Sequence, residues 1–271
     1  MPHLDRLSAL LAGLAPKIRL SSQGEPVSAG VPLDGLQLQL LLEGALELTW
    51  HGASTETLQG PALLVWRTSQ LVALKPVAVL GEHRQFGLQA IFEGPAADLL
   101  LEAFVQPLSI RLDACCVELE LVVRLIAEEM TTPRCGQPAM LARAGEMLFI
   151  GLLRHLVANP RLPSGMLNGL AEPRIARVLV AIHEQPAAAW TLAGLAELAG
   201  MSRTAFALRF QTLMNVAPGA YLTRLRLAIA RREIDLGNGL KRAARESGYA
   251  SSTALSRALS RQAAGLGKVS V

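Results

Sequence analysis

The sequence of 271 residues has little of several features that mark particular protein classes. Three cysteines, Cys115, Cys116 and Cys135, are too few for a disulfide framework. No run of about 18 uninterrupted apolar residues occurs, so a membrane span is not expected. The N-terminus, which carries Asp5 and Arg6, lacks the apolar stretch and the small-residue cleavage site of a signal peptide. These absences predict a cytoplasmic protein.

Histidine is also scarce, with five residues in the chain. The β-rich region over residues 36–92 contains His51 and His83, which are far apart in sequence and form no His-x-His pair. Because a divalent metal needs three or four donors that converge on one point, this region is a poor candidate for a metal-dependent enzyme. We therefore expect no metal, no cofactor and no catalytic residue, and we interpret each lone histidine as a surface or hydrogen-bonded side chain.

The cysteines leave two interpretations open. Cys115 and Cys116 come directly before a predicted apolar helix, where the helix dipole favours a thiolate, so oxidation sensing is one hypothesis. Adjacent cysteines would form a strained ring, so a disulfide would more readily join one of them to Cys135. We favour the other interpretation, in which the cysteines are buried, inert thiols.

The charge is distributed unevenly along the chain. From residue 172 onward there are 14 Lys and Arg against 6 Asp and Glu, a net charge of +8. Residues 1–171 have 12 against 16, a net charge of −4. A basic C-terminal part beside a mildly acidic N-terminal part indicates that only the former meets a polyanion. A solvated basic face without a partner is the alternative.

Residues 1–158 are predicted to form the first domain, with strands followed by helices. Helical patterns occur at 95–104, 115–129 and 137–158. The last of these carries an apolar stripe that we expect to be a homodimer face: Met140, Ala144, Met147, Gly151, Leu152 and His155. Short β-rich runs separated by Gly, Pro and Ser precede the helices and are typical of a small antiparallel barrel or sandwich; they lie at 36–42, 45–51, 62–66, 71–74, 77–80 and 85–92.

The C-terminal part contains the same short structural motif twice. In residues 192–210 a helix ends at Gly200 and a second helix is opened by Ser202, and residues 240–259 repeat the plan with a turn at Gly248 that is one residue longer. Each copy has an Ala four residues before the Gly, which lets two helices approach closely. A large apolar pair at i, i+4 then enters the core, Phe206 with Phe210 and Leu255 with Leu259. Each copy is predicted to be a helix-turn-helix, the shape that places a helix in the DNA major groove.

Two further helices are predicted, over residues 173–184 and 218–235. At 1.5 Å per residue the second spans about 27 Å. It could therefore hold two recognition helices against successive major-groove faces, which lie about 34 Å apart. The stretch 159–165 is rich in Pro, Ser and Gly, and we place a linker at 159–171 and the second domain at 172–271.

Residues 190–210, 217–230 and 243–249 resemble the DNA-binding domain of the AraC/XylS family of bacterial transcription regulators. Residues 146–155 and 170–183 resemble the subgroup of that family whose N-terminal half is a cupin-type barrel. The resemblance implies an α+β protein with two domains. The first is a cupin-like antiparallel β-barrel with flanking helices that senses a signal. The second is all-α, with two helix-turn-helix units joined by a long helix.

The sequence departs from the family pattern in three places. Leu208 stands where the family often has Arg, and Leu255 and Leu259 replace the usual aromatic residues of the second unit. Residues 265–271 lack the usual Pro and the closing Tyr-Arg helix. A degenerate regulator with a weakened second helix-turn-helix is therefore one alternative.

Helical geometry identifies the side chains that could touch DNA. With Phe206 and Phe210 buried, Arg203, Ala207 and Gln211 share another face of the helix. Arg203 is the candidate reader of guanine and Gln211 of adenine, and the hydroxyls of the second copy favour phosphate contact. A solvated surface residue is the alternative at each position. The complete predicted contact set is Ser202, Arg203, Thr204, Ala207, Gln211, Ser252, Thr253, Ser256 and Arg257.

We therefore predict a sequence-specific DNA-binding transcription regulator, not an enzyme, that binds double-stranded DNA as a homodimer. An unknown small-molecule or redox effector is expected to act through the N-terminal barrel, and RNA polymerase is a further candidate partner. A cupin-type metal-dependent enzyme is the competing class. A structural or protein-binding module would account for the apolar helix stripes but not for the duplicated unit.

Overall fold

The computed structural model describes residues 5–21, 34–50, 54–77, 83–113 and 117–266. These residues divide into two compact units. The β unit consists of the described residues of Ala15–Glu93 and Leu101–Arg161. The helical unit consists of those of Met1–Leu14, Gly94–Leu100 and Leu162–Val271. Within the described ranges, none of the helices has the length and the apolar character that a membrane span requires.

The β unit contains two separate antiparallel sheets. The five-stranded sheet has the order β1-β7-β2-β5-β8 and the three-stranded sheet the order β4-β3-β6. The described residues therefore form two sheets, and the closed barrel predicted from the sequence is not found among them. The strands are β1 (Pro16–Ser21), β2 (Gly35–Glu43), β3 (Ala45–Trp50), β4 (Ser54–Gln59), β5 (Ala62–Arg67), β6 (Val72–Pro76), β7 (Arg84–Phe92) and β8 (Leu108–Arg111).

Strand β2 shows why the larger sheet forms where it does. Its residues Leu36, Leu38 and Leu40 are fully buried, while the intervening glutamines are half-buried. This alternation follows from the two-residue repeat of a strand, which turns every second side chain to the same face. Leu38 pairs with Val65 of β5 on one side and with Leu88 of β7 on the other, so the central strands share one apolar core.

Five of the predicted strands correspond to β2, β3, β5, β6 and β7, and three strands were not predicted. β1 alternates charged and apolar residues, β4 is mostly polar and β8 has only four residues, so none of them carries a strong pattern of its own. They form because neighbouring strands supply hydrogen-bond partners. In the predicted strand 77–80, Val77 lies just after β6 and residues 78–80 lie outside the described residues.

The helices of the β unit are α3 (Val117–Thr131) and α4 (Gln137–Ala158). The short helix α2 (Ala97–Leu101) precedes them in the chain, and all but its last residue belongs to the helical unit. The bounds of α4 are those predicted from the sequence. Helix α4 packs against α3 and against strand β1. The rings of Phe149 on α4 and Phe92 on β7 lie 5.4 Å apart, which fixes the helix on the large sheet.

The apolar stripe of α4 is only partly available to a partner. Ala144, Leu152 and His155 are buried within the β unit, whereas Met140 and Met147 are exposed. The expectation that the whole stripe forms a homodimer face is therefore wrong for these three residues. Burial lowers the pKa of His155, and its Nε2 has no hydrogen-bond partner among the described atoms.

The helical unit consists mainly of helices that follow the β unit in the chain. Residues 166–171, inside the stretch predicted as a linker, form α5, because Met166, Leu167 and Leu170 are buried in the core. The remaining helices are α1 (Ser8–Leu14), α6 (Pro173–Glu184), α7 (Leu192–Ala199), α8 (Arg203–Met214), α9 (Pro218–Asp235), α10 (Leu240–Glu246) and α11 (Ser252–Leu266).

Helix α1 belongs to the helical unit although it comes first in the chain. It packs on α6, and its residues Leu10 and Leu14 are buried. Just before it, the Arg6 guanidinium donates to the carbonyl oxygens of Leu170 and Ala171 at 3.1 and 3.4 Å. These carbonyls lie at the C-terminal end of α5, where backbone acceptors lack partners within the helix. The N-terminal segment thus contributes both apolar and polar contacts to the helical core.

Tyr221 on α9 lies at the centre of this core. Its ring is 5.7 Å from that of Phe210 and 6.0 Å from that of His183. Its hydroxyl oxygen lies 2.7 Å from His183 Nε2 and 3.1 Å from Met166 Sδ. Burial lowers the pKa of His183 to about 4 and raises the pKa of Tyr221, so both side chains are neutral at pH 7.

This burial predicts a loss of stability in acid. Unfolding returns His183 to its ordinary pKa of 6.5, so between pH 6.5 and about 4 the unfolded chain binds more protons than the folded chain. The free energy of unfolding of the helical unit should therefore fall by about 3 kcal/mol as the pH is lowered through this window, with no contribution from this group above it. Urea titrations between pH 7 and pH 4 measure this loss.

The variant His183→Gln isolates the histidine in that experiment. It should be less stable than the wild type at pH 7, because it alters a buried hydrogen bond, but its stability should fall less steeply in acid. An equal pH dependence in both proteins would contradict the assignment.

Candidate nucleic-acid interface

The first helix pair, α7 and α8, is joined by a turn that the backbone defines closely. Gly200 adopts a left-handed conformation with φ of 65°, and the amide of Met201 donates to the carbonyl of Ala196 at 2.9 Å. The chain then enters α8 at Ser202, whose hydroxyl oxygen accepts from the amide of Ala205 at 3.3 Å. The turn and the cap thus set where α8 begins relative to α7.

The core of the first pair is the one expected from the sequence. Phe206 and Phe210 are fully buried, with ring centroids 5.7 Å apart. Ala196 and Ala199 of α7 are also buried, and their small size lets the two helices lie close together. Helix α8 is thereby held by one face, which leaves the opposite face uncovered.

The predicted contact residues of α8 do not all occupy the same position on that helix. Arg203, Thr204 and Gln211 are exposed, whereas Ala207 is half-buried. The hydroxyl oxygen of Ser202 accepts the capping bond, and its hydroxyl proton can still be donated to another acceptor. Leu208, noted from the sequence as a departure from the family pattern but absent from the predicted contact set, is exposed in the middle of the helix.

The second pair, α10 and α11, has the same plan and a smaller core. Leu255 is fully buried, and Leu259 is partly buried against the same cluster, which also contains Leu227, Ala230, Ala243, Ala244 and Ala258. Ser251 caps α11, because its Oγ accepts from the amide of Ala254 at 3.1 Å. Thr253, Ser256 and Arg257 are exposed, and Ser252 is half-buried.

A groove of about 730 Å³ separates α10 from the start of α11. Lys241 and Arg245, four residues apart on α10, line it together with Ser251 and Ser252, and Arg245 also donates from Nε and Nη2 to Glu246 Oε1 at 3.1 and 2.7 Å. These two cations were not predicted as contacts, although their i, i+4 spacing before a serine-capped helix could have indicated them. The groove is also lined by Gly239, Arg242, Ala244, Tyr249 and Ala250.

Several arginines of the helical unit are bound within it. Arg226 donates from Nε to the carbonyl of Pro186 at 2.8 Å and from Nη2 to that of Ala188 at 2.6 Å, and burial lowers its pKa. Arg209 pairs with Glu172 at 2.7 Å. Arg226 therefore ties α9 to the loop after α6, a structural role that its place in a basic sequence does not reveal.

Comparison with known proteins identifies this arrangement. A family model described as Cupin matches residues 5–158, and one described as Helix-turn-helix domain matches residues 195–264. An AraC-like transcription regulator of Streptomyces lividans is 37% identical over 138 residues, which are 50% of this chain and 45% of the relative. The chain belongs to the AraC/XylS family and has an N-terminal cupin domain.

The relatives of this AraC/XylS-family chain match it over part of their length. The HTH-type transcriptional regulator AlkR of Acinetobacter baylyi is 34% identical over 139 residues, which are 51% of this chain and 45% of the relative. The chain thus spans about half the length of the curated relatives it matches. A crystal structure of ToxT from Vibrio cholerae O395 aligns with a TM-score of 0.35 and 10% identity, covering 91% of this chain and 92% of that one.

The histidines and cysteines of the cupin domain bear on whether it holds a metal or a reactive thiol. Among the described residues, no group of three or more His, Cys, Asp and Glu side chains could hold a metal ion. His83 is exposed, while His51, Cys115 and Cys116 lie outside the described residues. Cys135 is a free, exposed thiol, so the expectation of a buried cysteine is wrong at this position.

The two turn glycines of this family member form a matched pair for mutation. Gly200 and Gly248 both have positive φ, 65° and 75°, so alanine costs about 1 kcal/mol of strain at either position. A Cβ at Gly248 would also lie 2.6 Å from the Cα of Ala187, whereas nothing lies within 4 Å at Gly200. Gly248→Ala should therefore reduce the free energy of unfolding by about 1–3 kcal/mol more than Gly200→Ala.

Urea unfolding of the full chain measures both variants. Equal losses would show that the approach of Ala187 does not restrict the second turn.

Proposed function

We propose that the protein is a sequence-specific DNA-binding transcription regulator in which α7–α8 and α10–α11 act as two helix-turn-helix units. The observation that carries this proposal is that both pairs repeat one plan, with a left-handed glycine, a serine cap and an apolar i, i+4 pair packed against the core, and that both pack against the single helix α9. Membership of a regulator family supports it. The same relatives favour a regulator over a metal-dependent enzyme.

The two units have different surface chemistry, and we assign them different tasks. Helix α8 exposes Arg203 and Gln211, whose long side-chain donors can reach base edges in the major groove, with Thr204 exposed beside them. The second unit exposes Thr253, Ser256 and Arg257, and Lys241 lines the groove between its helices, a set suited to phosphate oxygens. The first unit recognises the bases, and the second binds the phosphate backbone of the DNA.

The N-terminal cupin domain is assigned to effector binding. The effector is a small molecule or an oxidant, and Cys135 is the exposed thiol of the described residues on which an oxidant would act. RNA polymerase is the further partner through which DNA occupancy would change transcription. We also propose that residues 159–171 connect the effector-binding domain, residues 1–158, to the DNA-binding domain, residues 172–271.

Selection of duplexes from a random-sequence pool by the full-length protein tests the function. Enrichment of one motif is expected, with affinity for that motif falling on added salt at a log–log slope of about −4 or steeper, because bound cations displace condensed counterions. Binding without enrichment, or affinity that does not change with salt, would remove the proposal.

Arg203→Ala and Arg257→Ala separate the two assigned tasks. Arg203→Ala should relax specificity at one base pair and cost roughly 1–3 kcal/mol there, because it removes a guanine contact. Arg257→Ala should weaken binding about equally for all sequences, because phosphates carry no sequence information. Both variants are measured on single-base variants of the selected motif. A changed base preference in Arg257→Ala alone would show that α10–α11, and not α7–α8, recognises the bases.

We further infer a homodimer that forms through the outer surface of α3 and α4. Met140 and Met147 lie seven residues apart on α4, hence on one face of that helix, and both are exposed. Leu121 is an exposed apolar residue of α3, which packs beside α4. These three side chains replace the full sequence-predicted stripe as the proposed contact.

Met147→Glu should convert such a dimer to a monomer, because the partner cannot satisfy a buried carboxylate. Affinity for a two-site operator should fall at least about tenfold with it, since linked binding is lost. Leu71→Glu is the matched control, because Leu71 is a more exposed apolar residue of the same unit. Light scattering that finds the wild type monomeric, or Met147→Glu dimeric, would refute the assigned contact.

A further inference from the structure

Helix α8 carries one large apolar side chain on its outer face. Leu208 is 69% exposed, and it is the sixth of the twelve residues of the helix. At about 100° per residue it projects about 160° away from Phe210, the fully buried residue that anchors the helix. Leu208 therefore lies close to the centre of the face that would meet a major groove.

Among the described side chains of the helical unit, the other exposed leucines have a different position. Leu192 and Leu240 are the first residues of α7 and α10, and Leu236 directly follows α9. Helix ends often leave a side chain uncovered, and single exposed leucines are common. Leu208 differs because it lies in the middle of α8, on the face opposite the buried Phe210.

The neighbours of Leu208 on this face are polar. Thr204 lies four residues before it and Gln211 three residues after it, and both are exposed. The Thr212 hydroxyl donates to the carbonyl of Leu208 at 2.9 Å, which satisfies that threonine within the helix. An apolar position is thus flanked by side chains that can form hydrogen bonds with neighbouring bases.

We propose that Leu208 is a specificity-determining residue that packs against the C5 methyl group of a thymine in the major groove. The proposal rests on the function proposed above and names the base that this position reads. The major-groove edges of the four base pairs present donors, acceptors and a single apolar group, the thymine methyl. Leucine has no hydrogen-bonding atom, so against any other edge it would displace water without replacing its hydrogen bonds.

Deoxyuridine provides the test, because it pairs as thymine does and lacks only the methyl group. The full-length protein first selects its motif from a random duplex pool, and each thymine of the motif is then replaced in turn. At one position the replacement should weaken wild-type binding by about fourfold, the factor that corresponds to one buried methyl group. Leu208→Ala should bind the thymine and deoxyuridine forms of that position equally.

Two further variants make the result specific to this side chain. Leu236→Ala, which removes an exposed leucine outside α8, should keep the fourfold penalty for deoxyuridine. Leu208→Arg should change the preferred base at the same position from thymine to guanine, because arginine pairs with two guanine acceptors.

The possible outcomes separate this inference from the proposed function. Motif binding that tolerates every thymine-to-deoxyuridine replacement would overturn the role of Leu208 and leave the regulator intact. A penalty that persists in Leu208→Ala would do the same. Absence of any motif would overturn both.

Discussion

The burial of one face of α9 is the constraint on which both helix pairs depend. Near its start, Tyr221 contacts Phe210 of the first pair, and further along Leu227 and Ala230 pack into the core of the second pair with Leu255. The single helix α9 therefore contributes residues to both cores, and its 18-residue length sets the distance between them. The pairs cannot shift independently along α9 without uncovering apolar surface, which costs about 25 cal/mol for each Å².

Several arginines of the helical unit are bound by other residues of the same unit. Arg226 is bound to two loop carbonyls, Arg209 to Glu172, and Arg242 lies 3.4 Å from Glu233. Glu172 and Glu233 are already counted in the net charge of +8, so these contacts leave that charge unchanged, but they engage Arg209, Arg226 and Arg242 within the helical unit. The cations of the proposed interface are instead those on exposed faces, with Lys241 and Arg203 the clearest examples.

The secondary structure was largely predictable where the local sequence pattern favours the same conformation that packing in the folded chain requires. The bounds of α4 and α9, the two glycine turns and the buried pair Phe206 and Phe210 all follow from periodicity, caps and residue size. The predicted contact residues Arg203 and Gln211 were also expected to lie outside the core, and both are exposed. Local steric and hydrogen-bonding preferences act within a few residues, so a single sequence displays them.

The sequence alone determined the family pattern, the helix pairs and their turns. Only the tertiary structure decided that His155 faces the core of its own unit and that Arg226 is structural, because each outcome depends on residues distant in the chain. The placement of α1 against α6, and of weakly patterned strands beside strong ones, has the same origin. Long-range packing selects one of many uses that a residue's local chemistry permits, and no local pattern records that selection.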